Sequence, residues 1–126
     1  MKKIVQTKHA PAPIGPYNQA ILSGGTLYAS GQIALNPETG AFVTENIQAE
    51  THQVMRNIKA VLEAVDMDFS DILKASIFIK DMNQFGEINA VYGEYFTSDY
   101  APARETVEVA RLPKDANIEI SIIAEK

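Results

Sequence analysis

Residues 72–79, Ile72-Leu73-Lys74-Ala75-Ser76-Ile77-Phe78-Ile79, decide how the rest of the chain is read. The run is rich in Ile and Phe and short enough for a strand. Ile77, Phe78 and Ile79 in succession place apolar side chains on both of its faces, so it reads as an interior strand covered on both sides. Before it, Ile47, Thr51, Val54, Ile58, Val61, Leu62 and Val65 recur at helical spacing and predict an amphipathic helix over 47–65. Gln53, Arg56, Asn57, Lys59 and Glu63 fall largely away from that stripe. After it, Asp81 and Gln84 have the spacing of a capping box. The helix they open is expected to bury Phe85, Ile88, Tyr92, Tyr95 and Phe96.

Further outward, two short apolar runs, Gln19–Leu22 and Leu27–Ser30, flank Ser23-Gly24-Gly25-Thr26 and read as a β-hairpin. Gly31 is expected to end its second strand. Prolines at 11, 13 and 16 make residues 10–17 an irregular loop. Asn36–Gly40 is a turn, and Pro113 marks another within 112–117. Residues 104–110 alternate as a strand. In the last strand, 118–124, Ile118, Ile120 and Ile122 point one way and Glu119, Ser121 and Ile123 the other. The sum is a single α+β domain over 1–126, one mixed sheet with two helices on one face. The opposite face keeps Tyr28, Ile123 and side chains of 72–79, and no third helix is left to cover it. Another copy of the chain is expected there.

Composition narrows the function. Of 126 residues, 46% are hydrophobic, enough for a real core, and the 11 Lys and Arg against 16 Asp and Glu leave a net charge of −5. An acidic chain is poorly suited to nucleic acid or anionic membranes, both of which call for clustered cations. No cysteine is present, which removes thiolate metal sites and a Cys nucleophile. Lys2 and Lys3 are followed by only Ile4 and Val5 before polar residues resume, too short for a signal peptide, and a cytoplasmic location is expected. His9 and His52 lack metal-ligand spacing, and His52 is expected at the surface.

Alternation groups Arg104, Thr106 and Glu108 on one face of their strand and Val107 and Val109 on the other. If the valines face the helices, Arg104 faces the uncovered side, where Glu119 also points. Tyr28 and Ser30 share one face of the hairpin, and the proline loop carries Tyr17. On alternation alone, an interfacial salt bridge between Arg104 and Glu119 is favoured over a reactive site, because structural ion pairs are commoner than sites.

The segment from Pro102 through Arg104, Glu105, Thr106, Arg111 and Pro113 to Ile120 resembles the signature of the Rid family, the reactive intermediate deaminases also called YjgF-like. Residues 10–17 and Ser30-Gly31-Gln32 resemble two further blocks of that family, and the likeness runs from about Thr7 to the end of the chain. The nearest branch is RidA, the 2-iminobutanoate/2-iminopropanoate deaminases. The resemblance implies a chorismate-mutase-like fold and a homotrimer with a cleft at each subunit interface. It implies hydrolysis of 2-imino acids and their enamines to 2-keto acids and ammonia without cofactor or metal. It makes Arg104 the carboxylate-binding residue, Glu119 the water-positioning acid and Tyr17 the cleft tyrosine. Ser30, Gly31 and Asn89 complete the implied substrate site.

These residue types suit that chemistry. A guanidinium binds a planar carboxylate through two parallel hydrogen bonds. A carboxylate such as Glu119 can orient a water against the imine carbon and take its proton. Two positions depart from the family pattern. Glu105 replaces a usually small residue after the arginine, and alternation turns it away from Arg104's face. Thr106 stands where Cys is frequent, so a thiol is not needed for the chemistry implied. The rival reading is a trimer that senses a small carboxylate without turnover, or has a chaperone or RNA-related role.

Overall fold

The elements in chain order are β1 (Lys2–Val5), β2 (Ala20–Ser23), β3 (Thr26–Gln32), α1 (Ile47–Glu63), β4 (Ile72–Ile79), α2 (Phe85–Gly93), β5 (Ala103–Glu108) and β6 (Ile118–Glu125). The computed structural model describes residues 1–97 and 99–126. The strands form one six-stranded sheet in the order β1-β2-β3-β6-β4-β5. Every neighbouring pair is antiparallel except β4 and β5, which run parallel because α2 carries the chain back between them. The mixed sheet with two helices is the α+β layer expected from the sequence.

The hairpin forms because Gly24 and Gly25 adopt φ of 58° and 87°, where a Cβ would be strained. Gly31 does not end β3, which continues to Gln32. Instead the register against β6 shifts between Ala29 and Gln32. Such an irregularity bends the strand, and Gly at that point lets the Glu119 side chain approach closely.

Helix α1 is capped by Asn46, whose side chain accepts from Ala49 N–H at 2.7 Å. Its predicted stripe is buried, with Val54, Ile58, Val61 and Leu62 at 1% exposure or less. Gln53 and Asn57, placed off that stripe by periodicity, are buried as well. The reason is a set of hydrogen bonds: Asn57 Nδ2 donates to the carbonyls of Ile33 and Leu35, and Gln53 Nε2 donates to Asn57 Oδ1. His52 is half-buried rather than superficial, with Nδ1 2.7 Å from the Tyr95 hydroxyl. The capping box expected at Asp81 and Gln84 does not form. Asp81 accepts from Asn83 N–H and caps a 3-10 turn, Met82–Gln84, after which α2 starts without a side-chain cap.

The core lies between the sheet and the two helices. Ile118, Ile120 and Ile122 of β6 and Ala75, Ile77 and Ile79 of β4 point into it. The opposite face is uncovered in the single chain. Ile4, Ile21, Tyr28 and Ile123 lie across it in register, with Tyr28 50% exposed.

Candidate active site

The pairing of β4 with its two neighbours fixes which way each candidate points. Phe78 lies opposite Glu119 on β6 and beside Val107 on β5. Ala75 lies opposite Ile122 and beside Arg104. Ile122 and Ala75 face the helices, so Arg104 does too, and Glu119 is on the other side of the sheet. The expectation that Val107 faces the helices and Arg104 the uncovered side is therefore reversed. Val107 is 41% exposed on the uncovered face. The Arg104 guanidinium, stacked on the rings of Phe85 and Tyr92, takes the helix-facing place that periodicity assigned to valine. Within one chain Arg104 and Glu119 make no salt bridge.

Two partial sites result. The first surrounds Glu119, at the rim of a pocket of about 150 Å³ lined by Pro11, Ile14, Tyr17, Gly31, Ile33 and Glu119, among others. The proline loop that brings Tyr17 there is short of backbone donors. It is knit together by buried Gln19, whose Nε2 donates to the carbonyls of Thr7, Ala10 and Pro11, while its Oε1 accepts from Thr7 N–H at 2.7 Å. The Tyr17 hydroxyl accepts a long 3.4 Å hydrogen bond from Ile14 N–H. The Glu119 carboxylate lies against Gly31, where an added Cβ would sit 2.6 Å from Oε2. The Glu119 carboxylate has no hydrogen-bond or ion-pair partner among the described residues. Burial pushes its acid above the ordinary glutamate range. An unpaired carboxylate in a largely apolar pocket is suited to accept a proton.

The second partial site is Arg104. Its Nη1 donates to Asn89 Oδ1 at 2.6 Å. The guanidinium lies 5.0 Å from the ring centre of Tyr92 and 5.7 Å from that of Phe85. It is exposed and has no acidic partner among the described residues. Aromatic stacking holds its plane without using up its donors, which leaves the fork free for an anion. Glu105 turns to the opposite face, as alternation indicates, and bonds Lys74 at 3.0 Å and Ser76. Those contacts, Ser76 first, hold its acid below the ordinary range and keep it off Arg104. Thr106 points to Arg104's side with its hydroxyl buried and unpartnered.

Of the sequence candidates, the fold brings Tyr17, Gly31 and Glu119 together and, separately, Arg104 and Asn89. Ser30 flanks the first group, its Oγ donating to Asn18 O at 2.6 Å. Sequence reasoning missed Gln19, for which the signal was a loop with prolines at 11, 13 and 16 whose carbonyls need side-chain donors. It also assigned Phe85 and Tyr92 to the core alone. Among the described residues, no group of three His, Asp or Glu side chains could hold a metal ion. No helix there is long and apolar enough to cross a membrane.

A family model described as Endoribonuclease L-PSP matches residues 7–126. The 2-iminobutanoate/2-iminopropanoate deaminase of Salmonella typhimurium is 48% identical over 126 residues, covering 98% of both chains. A protein of Lactococcus lactis named as a regulator, AldR, is 47% identical, covering 98% of this chain and 97% of its own. The crystal structure of a Rid family protein from Yersinia pestis superposes with a TM-score of 0.97 at 47% identity, covering 100% of both chains.

Proposed function

The chain belongs to the Rid family, matched here by the endoribonuclease L-PSP model, and from that premise we propose that it hydrolyses 2-imino acids to 2-keto acids and ammonia. In this reading its substrates are 2-iminobutanoate and 2-iminopropanoate, and the site is completed between two copies of the chain. The observation that carries it is the division of the machinery: an unpaired, burial-raised Glu119 on one face and an anion-ready Arg104 on the other. Neither half suffices for the reaction. A homotrimer that closes the uncovered sheet face would bring the Arg104 of one copy to the Tyr17–Gly31–Glu119 pocket of the next.

In the joined site Arg104 binds the substrate carboxylate through two charge-assisted hydrogen bonds, with its plane set by Tyr92 and Phe85. Asn89 holds one arm of the fork. Glu119 orients a water against the imine carbon and accepts its proton as the C–O bond forms. That proton passes to the nitrogen to give the carbinolamine. Glu119 then takes the hydroxyl proton and returns it to the amino nitrogen as the C=O bond forms and the C–N bond breaks, releasing ammonia. Tyr17 lines the pocket beside the reacting centre. The imine is already electrophilic, so holding the water and the carboxylate in place supplies the main effect.

Phosphodiester cleavage, which the family description names, is less well served by an acidic chain with no clustered cations. A sensing role without turnover is the other outcome of the test. A threonine dehydratase generates 2-iminobutanoate in situ and semicarbazide traps it. The protein is expected to suppress the adduct in proportion to its concentration. An unchanged adduct yield would favour sensing.

A further inference from the structure

Asn117 stands two residues before Glu119 and is held from three sides. Its backbone N–H donates to Glu50 Oε2 at 2.8 Å, and its Nδ2 donates to Glu50 Oε1 at 2.8 Å. Its carbonyl accepts from Lys80 N–H at 3.0 Å. Glu50 lies in the first turn of α1 and is 1% exposed. No cation is paired with it among the described residues. A carboxylate taken out of water in this way is costly unless its hydrogen bonds are made, and Asn117 supplies both.

The segment so gripped has reason to need it. Lys114 and Asp115 adopt φ of 55° and 56°, two successive residues in the left-handed region that L side chains occupy at a cost. Pro113, which opens this segment, and Glu119, which follows it, both line the same pocket. The Glu119 carboxylate stands where a Cβ on Gly31 would be, so a shift of β6 along the sheet would disturb that contact.

We propose that Glu50 is a positioning residue: by gripping Asn117 it fixes where β6 begins and so where the Glu119 carboxylate stands over Gly31. As a contribution to hydrolysis, this rests on the reading of Glu119 as the group that holds the water. Loss of the grip relaxes residues 113–117, lets Glu119 leave its buried place, and slows the proton transfer while Arg104 still binds substrate.

The test is an NMR titration of the Glu119 carboxyl in the full chain, with imine hydrolysis measured on the same samples. Asn117→Asp sets a carboxylate against Glu50. Glu119 should then titrate closer to the ordinary glutamate value, and kcat should fall at least about tenfold with KM within about twofold. Glu50→Gln combined with Asn117→Asp rebuilds the fork with one hydrogen bond reversed, Gln Nε2 donating to the Asp, and should restore both readings. If Asn117→Asp does not fold, Asn117→Ala keeps the backbone hydrogen bond and should move both readings the same way by less. A Glu119 titration that stays put in a folded variant, or a double variant that restores neither reading, would overturn the proposal. A protein that hydrolyses no imine would overturn the deaminase reading, and an unmoved titration the grip alone.

Discussion

Glu119 is a carboxylate that the fold holds at a disadvantage. Its acid is raised by burial, and no partner offsets the loss of water. A group whose pKa is higher in the folded state stabilises below its unfolded value and costs stability as pH rises through the folded one. Glu119→Gln should therefore raise Tm at pH 7, and the gain should vanish below about pH 4, where the acid is protonated in both states. Thermal unfolding across that range checks it. A variant that is more stable yet inactive is expected where a residue serves chemistry at the expense of the fold. Arg104 should behave differently, being exposed and stacked rather than buried. Arg104→Lys keeps the charge but loses the flat fork, so kcat/KM should fall at least about tenfold, equivalent to roughly 1.5–3 kcal/mol, with Tm little changed. The side of the sheet that Glu119 takes was legible in its alternation with Ile118 and Ile120. The direction of Arg104 was not, because in β5 an arginine guanidinium stacks on the rings of α2 while a valine stands exposed, the reverse of the usual rule.

Among the elements, α1 does more than bury an apolar stripe. Asn57 ties the helix to the carbonyls of Ile33 and Leu35, in the segment that follows Gly31 and forms one wall of the pocket. Asn57→Ala would leave the Leu35 carbonyl and Gln53 Nε2 without their Asn57 partner and the Ile33 carbonyl with only its bond from Leu35 N–H. It should cost about 2–3 kcal/mol in chemical unfolding, well beyond the loss of a surface amide. Helix periodicity set Asn57 apart as polar and off the stripe. A buried polar side chain that satisfies a distant loop leaves no mark in local spacing. The same holds for Gln19 and Glu50, whose partners lie 8 or more and 67 residues away. The succession of β2 to β6 and the two helices along the chain was legible because it rests on periodicity and on turn residues such as Gly24-Gly25, whereas the order of the strands in the sheet was not. The continuation of β3 through Gly31 was hidden, since a glycine reads equally as a stop and as a bend.

At the scale of the whole molecule, the proposed function calls for more than one chain. The row Ile4, Ile21, Tyr28 and Ile123 lies on a sheet face that no helix covers, and the two halves of the site point away from each other across the sheet. The central claim is that Arg104 of one copy serves Glu119 of another. It is tested by mixing two inactive proteins. Arg104→Ala and Glu119→Gln chains are unfolded together in equal amounts, refolded, and assayed for imine hydrolysis. In randomly mixed trimers each interface draws its arginine and its glutamate from different chains, so about a quarter of the sites should hold both intact residues and about a quarter of the activity should return. A mixed assembly of the same size with no more activity than its parents would contradict the account.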